Sequence, residues 1–189
     1  MKQLFDQDTG LSWLRYDKYQ GQDFFKQNQT LSSWSKTDNI RRYLCGNEPL
    51  DNLFLRYLGD HNDLFYCYQD KNLVGATIVV KPFFGNQESS IEFLAVNPEF
   101  QHQGIGTRMV KSITNNPQFF VGKDFMDLYS TVVDEENLPS QKMFLKNNYR
   151  PMKRPNIYYD SGFIKFYCQP RKSPRLDSHN HDDSQSLNK

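Results

Sequence analysis

The chain has 189 residues, of which 37% are hydrophobic and 15% aromatic, so it can bury a core of ordinary size as one domain. Its 23 basic and 22 acidic side chains give a net charge of +1, which argues against a dedicated nucleic-acid binder. It contains no apolar run of about 18 residues, and its N-terminus lacks a signal peptide's apolar segment. We therefore expect no membrane association and a cytoplasmic location.

The cysteine and histidine pattern predicts neither a disulfide framework nor a metal site. Cys45, Cys67 and Cys168 are odd in number and widely spaced, so we expect three buried structural thiols. His179 and His181 lie near two aspartates, but a flexible His-x-His segment lacks the preformed geometry of a functional metal site.

The first eighty residues predict an edge strand, three short helices and a hairpin. In chain order these are a strand at 11–19, helices at 22–31, 37–44 and 50–58, and strands at 64–69 and 73–80. The hairpin begins an antiparallel meander that continues into the next strand.

The stretch from Ile91 to Val110 predicts a strand, a turn, a glycine-rich loop and a helix. Residues 91–96 are mostly apolar and β-prone, and Asn97-Pro98 ends them because proline cannot continue a central ladder. A helix follows from Gly104, with apolar residues at helical spacing, and stops near Pro117.

A glycine-rich loop at a helix N-terminus indicates an anion site, because several backbone N–H groups there have no helical acceptor. Glycine also lets a phosphate approach the backbone closely. A dinucleotide fingerprint would require glycine where this chain has Met109, and the Gly-Lys-Ser/Thr of a Walker loop does not occur. The expected ligand is a phosphate or pyrophosphate of another kind.

The remaining segments predict a crossover and a final hairpin. A strand at 125–133 returns parallel to 91–96, as a strand, helix, strand connection requires. A helix from Asn137 and a hairpin at 149–153 and 162–168 follow. The chain from residue 170 onward is almost entirely polar, so we expect one domain at 1–169 and a disordered tail at 170–189.

The loop Gln101-x-x-Gly104-x-Gly106 after a strand resembles the GNAT superfamily of acyl-CoA N-acyltransferases, whose pyrophosphate loop reads Gln/Arg-x-x-Gly-x-Gly/Ala. A second stretch is also similar to that family, which has Asn-x-x-Ala-x-x-x-Tyr and then Gly-Phe. The matching positions in this chain are Asn137, Ser140, Phe144 and Asn148-Tyr149, so serine replaces alanine, phenylalanine replaces tyrosine and asparagine replaces glycine.

The resemblance implies a mixed α/β, GNAT-like fold, with a mostly antiparallel central sheet of about six to seven strands flanked by about four helices. It also implies acetyl-CoA as acetyl donor and a primary amine, on a small molecule or a peptide, as acceptor. The N-terminal helices would help wall the acceptor site, and the sequence does not name the acceptor. A CoA-binding sensor or scaffold with little turnover is the alternative, and both a monomer and a homodimer are compatible with the sequence.

The resemblance assigns roles to individual residues. Glu92, which strict alternation places on the face of Leu94 and Val96, is a candidate base, although a salt-bridged or rim carboxylate is the alternative. Phe144 occupies the position of the usual tyrosine acid, and Ser140 and Tyr149 are alternative donors. Arg108 or Lys111 would add charge near the pyrophosphate. Asn137 would contact the cofactor arm, cap its helix, or do both. The predicted cofactor-binding residues are Leu94, Ala95, Val96, Gln101, His102, Gln103, Gly104, Ile105, Gly106, Thr107, Asn137 and Ser140.

Overall fold

The computed structural model describes residues 3–16, 21–82, 88–122, 129–152 and 162–168, with side chains from residue 26 onward in the first helix. The elements of the first half are β1 (Gln3–Asp6), β2 (Leu11–Arg15), α1 (Gly21–Trp34), α2 (Asp38–Ile40), a π-helical turn at Arg41–Cys45, α3 (Leu50–Tyr57), β3 (Asn62–Gln69) and β4 (Asn72–Val80). Those of the second half are β5 (Ser89–Val96), a 3₁₀ turn at Pro98–Phe100, α4 (Ile105–Asn115), α5 (Pro117–Phe120), β6 (Tyr129–Asp134), α6 (Leu138–Lys146), β7 (Arg150–Pro151) and β8 (Phe163–Cys168).

One eight-stranded sheet forms the frame, in the order β1-β2-β3-β4-β5-β6-β8-β7. Its neighbours pair antiparallel except β5 and β6, which are parallel, so the predicted mixed and mostly antiparallel sheet is confirmed with one strand more than expected.

The additional strand is β1, which lies outside β2, so the prediction that 11–19 forms the edge was wrong. A tight turn makes the extra pairing possible: Gly10 N donates to Asp6 O at 2.8 Å, and Gly10 has a φ of 65°. Glycine adopts that backbone conformation without steric cost.

Apolar side chains cover both faces of the sheet. On one face, α4 packs through Met109 and Ile113 against Trp13 and Phe65. On the other, α1, α2, the π-helical turn and α3 bury the cluster of Leu31, Trp34, Ile40, Cys45, Leu50, Leu53 and Phe54 against the sheet. The N-terminal aromatics whose burial the structure describes therefore mainly pack helices on the sheet, as expected.

Gly75 fixes how closely α4 approaches the sheet. A Cβ atom at Gly75 would lie 2.5 Å from Met109 Sδ and 2.9 Å from the carbonyl oxygen of Ala95. Because such contacts are too short for real atoms, a side chain at Gly75 would displace α4 or β5. The N-terminus of α4 is thus held close to the end of β5.

Most predicted elements are present with shifted ends. The helix predicted from Gly104 is α4, which begins at Ile105 and ends two residues before Pro117. The described part of the strand predicted at 125–133 is β6, and 125–128 lie outside the described residues. Of the segment predicted at 149–153, only Arg150–Pro151 pairs with β8, and residue 153 and the tail at 170–189 lie outside the described ranges.

The three cysteines are free and buried, as predicted. Within the described ranges, no group of three metal-binding side chains occurs. None of the described helices has the length and apolar character needed to span a bilayer.

Candidate active site

A gap opens in the middle of the sheet because β5 and β6 pair only at their beginnings. The last paired residues are Ser90 and Ser130, and the side chain of Thr131 adds a hydrogen bond to the carbonyl of Ile91 at 2.9 Å. Beyond this point β5 stays on β4 as far as Val96, whereas β6 stays on β8. The two central strands therefore diverge toward their C-terminal ends.

A β-bulge at Glu92 lies where the strands separate. The pairing of β5 with β4 passes from Ile91 to Phe93 and skips Glu92. Ile91 and Leu94, three positions apart, consequently both pack in the cluster beside α4, which regular alternation would not allow. Alternation along β5 is therefore interrupted between Ile91 and Leu94, and the placement of Glu92 on the face of Leu94 stays a prediction.

The Glu92 side chain is exposed and does not line the cavity described below. Desolvation raises the pKa of its carboxyl group, and a hydrogen bond with Ser90 opposes this shift. Glu92 therefore lies where the strands separate but outside the cavity lining, and its role as a base stays a prediction.

Two peptide groups at the end of β5 face the gap. Asn97 N donates to Val74 O at 2.9 Å, and Phe93 O accepts from the Thr77 hydroxyl at 2.7 Å, so these alternate positions face β4. Because neighbouring residues of a strand point their peptide groups to opposite sides, those of Leu94 and Val96 face the gap. The carbonyl of Val96 already accepts a hydrogen bond from Gln101 Nε2 at 3.2 Å.

The same alternation turns the peptide groups of Ala95 toward β4. Of the three residues predicted to offer backbone groups to a cofactor arm, Leu94 and Val96 have the required direction, and Ala95 lines the cavity between them.

The glycine-rich loop presents the N-terminus of α4 to this gap. Gly104 precedes the helix with a φ of 77°, and its carbonyl accepts the first helical hydrogen bond, from Arg108 N at 3.1 Å. The amides of the first turn, including Gly106 and Thr107, therefore have no acceptor within the helix. His102 also has a positive φ, 62°, which is uncommon for a residue with a side chain.

Gly106 is required for helix packing. A Cβ atom at Gly106 would lie 2.7 Å from Met143 Sδ of α6 and 3.4 Å from Val96 Cγ2 of β5. Asn147 Nδ2 also donates to Thr107 O at 3.1 Å, which joins α6 to α4. The first turn of α4 thus lies directly between α6 and β5.

Asn137 caps the N-terminus of α6, as one of its two predicted roles requires. Its Oδ1 accepts a hydrogen bond from Ser140 N at 3.2 Å. The cap uses only the side-chain oxygen, so a contact between the side-chain nitrogen and a ligand is compatible with it.

A cavity of about 390 Å³ lies between β5, α2 with its π-helical turn, the N-terminal end of α4 and one side of α6. All the predicted cofactor residues line it except Gln103, whose side chain instead donates to Glu99 O at 3.1 Å. The sequence motifs, which are far apart in the chain, therefore converge on one cleft.

The cations at this cavity are not the predicted ones. Arg108 faces the opposite side of α4, where it donates to Thr9 O at 2.9 Å and to Gln69 Oε1 at 2.6 Å, and Lys111 does not line the cleft. Lys142 and Lys146, one turn apart on α6, line it instead. The sequence analysis missed them, although their spacing places them on one face of a helix that begins at Asn137.

Phe144 and Tyr149 do not line the cavity either. The Phe144 ring is buried, with its centroid 5.1 Å from the ring of Tyr149 and 6.4 Å from that of Phe166. The Tyr149 hydroxyl is buried without a hydrogen-bond partner, and desolvation is the main reason that its pKa is raised. Ser140 is the one hydroxyl-bearing residue of this motif that lines the cleft.

We expect Phe144→Tyr to lower stability without raising turnover. The new hydroxyl would be buried in an aromatic cluster, and an unsatisfied buried polar group costs about 1–3 kcal/mol. Urea unfolding and kcat measure the two effects. Phe163→Tyr, the same change on a half-exposed side chain, should leave both unchanged. A tenfold rise in turnover at unchanged stability would contradict this prediction and restore an acid at position 144.

The sequence profile of the Acetyltransferase (GNAT) family matches residues 18–149. The chain belongs to this family. A search among curated proteins found no match. The matched residues include β5, β6, the glycine-rich loop and α4, which frame the cleft.

Solved structures of GNAT proteins share the fold at low sequence identity. Campylobacter jejuni N-acetyltransferase PseH in complex with acetyl coenzyme A is 17% identical, with a TM-score of 0.56, over 84% of this chain and 98% of that one. Vibrio cholerae spermidine N-acetyltransferase in complex with CoA and spermine is 13% identical, with a TM-score of 0.61, over 86% and 96%. Escherichia coli ribosomal-protein-S18-alanine N-acetyltransferase is 13% identical, with a TM-score of 0.58, over 88% and 97%.

Proposed function

We propose that this protein is an acetyl-CoA-dependent N-acetyltransferase that acts in the cytoplasm on a primary amine of a small molecule or peptide. The observation that carries the proposal is the cleft itself. The gap between β5 and β6 opens onto the unpaired amides of α4, and the predicted cofactor residues line the same cavity.

The cleft offers a separate group for each part of acetyl-CoA. The pyrophosphate would accept hydrogen bonds from the first-turn amides of α4, and Lys142 and Lys146 would supply positive charge. The amides of the pantetheine arm would pair with the peptide groups of Leu94 and Val96. A backbone N–H facing the gap would stabilise the oxyanion of the tetrahedral intermediate. Removal of one such donor from other enzymes costs about 3 kcal/mol.

The reaction requires a neutral amine, and Glu92 is our candidate to remove its proton directly or through water. We expect kcat/KM to rise with pH through a value above the ordinary carboxyl range of about 4.3, because desolvation raises the Glu92 pKa and only the ionised form accepts a proton. Glu92→Gln should remove this acid limb and lower kcat/KM by about a hundredfold. Glu99→Gln, at an exposed carboxylate on the 3₁₀ turn, is the matched control. An unchanged pH profile in Glu92→Gln would exclude Glu92 as the base.

Thiol release from acetyl-CoA with a panel of amines tests the activity, and calorimetric CoA binding tests the cofactor site. Polyamines and peptides with free N-termini belong in the panel, because the spermidine and S18-alanine acetyltransferases share this fold. Micromolar CoA binding with turnover of one amine supports the proposal. Failure to bind CoA would overturn it.

The second candidate is a CoA-binding sensor or scaffold with little turnover. It is favoured by one observation, namely that Phe144 offers no hydroxyl at the position where the family has an acid. Tight CoA binding without thiol release on any amine would select this alternative.

A further inference from the structure

Tyr43 lies on the wall of the cleft that faces β5. It belongs to the π-helical turn Arg41–Cys45. Its side chain is half-buried, whereas those of its neighbours Arg41 and Arg42 are exposed. Within the described part of the chain it is the one tyrosine that lines the cavity. Single π-helical turns are rare and frequently occur at functional sites, where they change the direction of a side chain.

Glu136, in the loop before α6, holds Tyr43 across the gap. The Tyr43 hydroxyl donates to the backbone carbonyl of Glu136 at 3.4 Å, and Arg42 forms an ion pair with the Glu136 carboxylate. The Arg42 guanidinium also lies 5.2 Å from the centre of the Tyr43 ring. The hydroxyl is therefore directed to the β6 side of the cleft by a hydrogen bond long enough to be exchanged for a better one.

The register of the parallel strands gives the height of this hydroxyl in the cleft. Asp134 lies four residues beyond Ser130 on β6, and Ala95 lies at about the same level on β5, because the bulge at Glu92 adds one residue to β5 beyond Ser90. Glu136 follows Asp134 by two residues, and the Glu136 amide bonds to the Asp134 carboxylate at 2.7 Å. The Tyr43 hydroxyl is thus close to the level of Ala95, between the peptide groups of Leu94 and Val96 along which the pantetheine arm would lie.

We propose that Tyr43 donates the proton that the departing CoA thiolate requires, an inference that rests on the proposed acetyltransferase function. The amine nitrogen forms a bond to the thioester carbonyl carbon and gives its proton to a base. The C–S bond of the tetrahedral intermediate then breaks, its electron pair passes to sulfur, and the Tyr43 O–H proton follows to that sulfur. Water then returns a proton to the phenolate.

The alternative donors on the same motif are less suitable. Phe144 has no hydroxyl, and the Tyr149 hydroxyl is buried away from the cleft. Ser140 is at the cleft, but an aliphatic hydroxyl is a weaker acid than a phenol.

Tyr43→Phe tests the assignment with acetyl-CoA and an amine that the wild type acetylates. We expect kcat to fall by about tenfold to a hundredfold, since general acids contribute at least this much. The Kd for CoA should change by less than about threefold, because the ring remains on the wall. Tyr57→Phe, on the surface of α3 and outside the cavity, is the matched control and should leave kcat unchanged.

A second variant separates proton donation from packing. Incorporation of 3-fluorotyrosine, a more acidic phenol, at position 43 should restore the activity that Tyr43→Phe loses. It should also move the alkaline limb of kcat/KM to lower pH, a shift that a purely structural role would not produce. Arg42→Glu should lower kcat by misplacing Tyr43, and Arg42→Glu combined with Glu136→Arg should restore it.

The outcomes distinguish this inference from the proposed function. A wild type that binds CoA but acetylates no amine overturns both. Three results with an active wild type would overturn only the Tyr43 assignment. These are a kcat of Tyr43→Phe within twofold of the wild type, an unchanged pH profile with 3-fluorotyrosine, and a loss of activity in Ser140→Ala instead.

Discussion

Gly106→Val should abolish CoA binding in a protein that still folds. A Cβ atom at this position would lie 2.7 Å from Met143 Sδ and 3.4 Å from Val96 Cγ2, so the larger side chain forces α4 away from α6 and β5. All three elements line the cleft, and their separation would move the first-turn amides from the position that the pyrophosphate requires. Overpacking of this kind costs about 1–3 kcal/mol of stability, which most domains tolerate.

The measurement is the rise in melting temperature that CoA produces. Ligand at a hundred times its Kd stabilises a binding-competent protein by about 2.7 kcal/mol, and Gly106→Val should lose this stabilisation entirely. Gly59→Val is the matched control, because a side chain at Gly59 meets no atom within 4 Å and Gly59 does not line the cavity. A folded Gly106→Val protein with the full CoA effect would contradict the assignment of the loop.

A double variant separates helix packing from phosphate approach. Gly106→Ala should weaken CoA binding, and Met143→Ala should restore part of it by removing the atom closest to the new Cβ. No restoration would mean that the glycine is needed mainly because a ligand approaches its Cα atom.

The central part of the cleft could be predicted because its signals are local. Gly104 and Gly106 mark a helix start through backbone conformation and close packing, which depend on a few neighbouring residues. Asn137 is a cap residue by its chemistry, and the structure confirms its hydrogen bond to Ser140 N. The resemblance to a family added the relation between these two distant motifs.

The bulge at Glu92 and the extra strand β1 could not be predicted in the same way. A bulge depends on the register between β5 and β4, which an isolated strand pattern does not contain. The pairing of β1 depends on a five-residue turn between Asp6 and Gly10, and the mostly exposed strand that precedes it lacks a strong apolar alternation.

The placement of the cations required the packed structure. Arg108 on α4 and Lys142 on α6 are both cations on helices that flank the cleft. The sequence shows only that each lies outside the apolar face of its own helix. Arg108 is turned to Thr9 and Gln69 because α4 lies against the N-terminal hairpin. Lys142 lines the cleft because α6 packs against the first turn of α4, through Met143 and Asn147. The direction of each cation therefore depends on how the helices pack together.

Because Lys142 and Lys146 line the cleft, we expect their charge to contribute strongly to CoA affinity. Lys142→Glu combined with Lys146→Glu should weaken CoA binding by about a hundredfold, because two charge-assisted contacts of about 1.5 kcal/mol each would be lost. The acidic side chains would also repel the phosphates of the cofactor. Binding of wild type and variant by calorimetry at low salt measures the change.

Lys111→Glu gives the same change of charge at an exposed position on α4 outside the cavity, and it should leave the Kd within about twofold. Comparison of CoA with dephospho-CoA then identifies the phosphates involved. If the lysines contact the 3′-phosphate, its removal should weaken binding to the wild type much more than to the double variant, whereas equal losses in both would assign the lysines to the pyrophosphate. An unchanged Kd in the double variant would show that the first-turn amides of α4 hold the phosphates without help from α6.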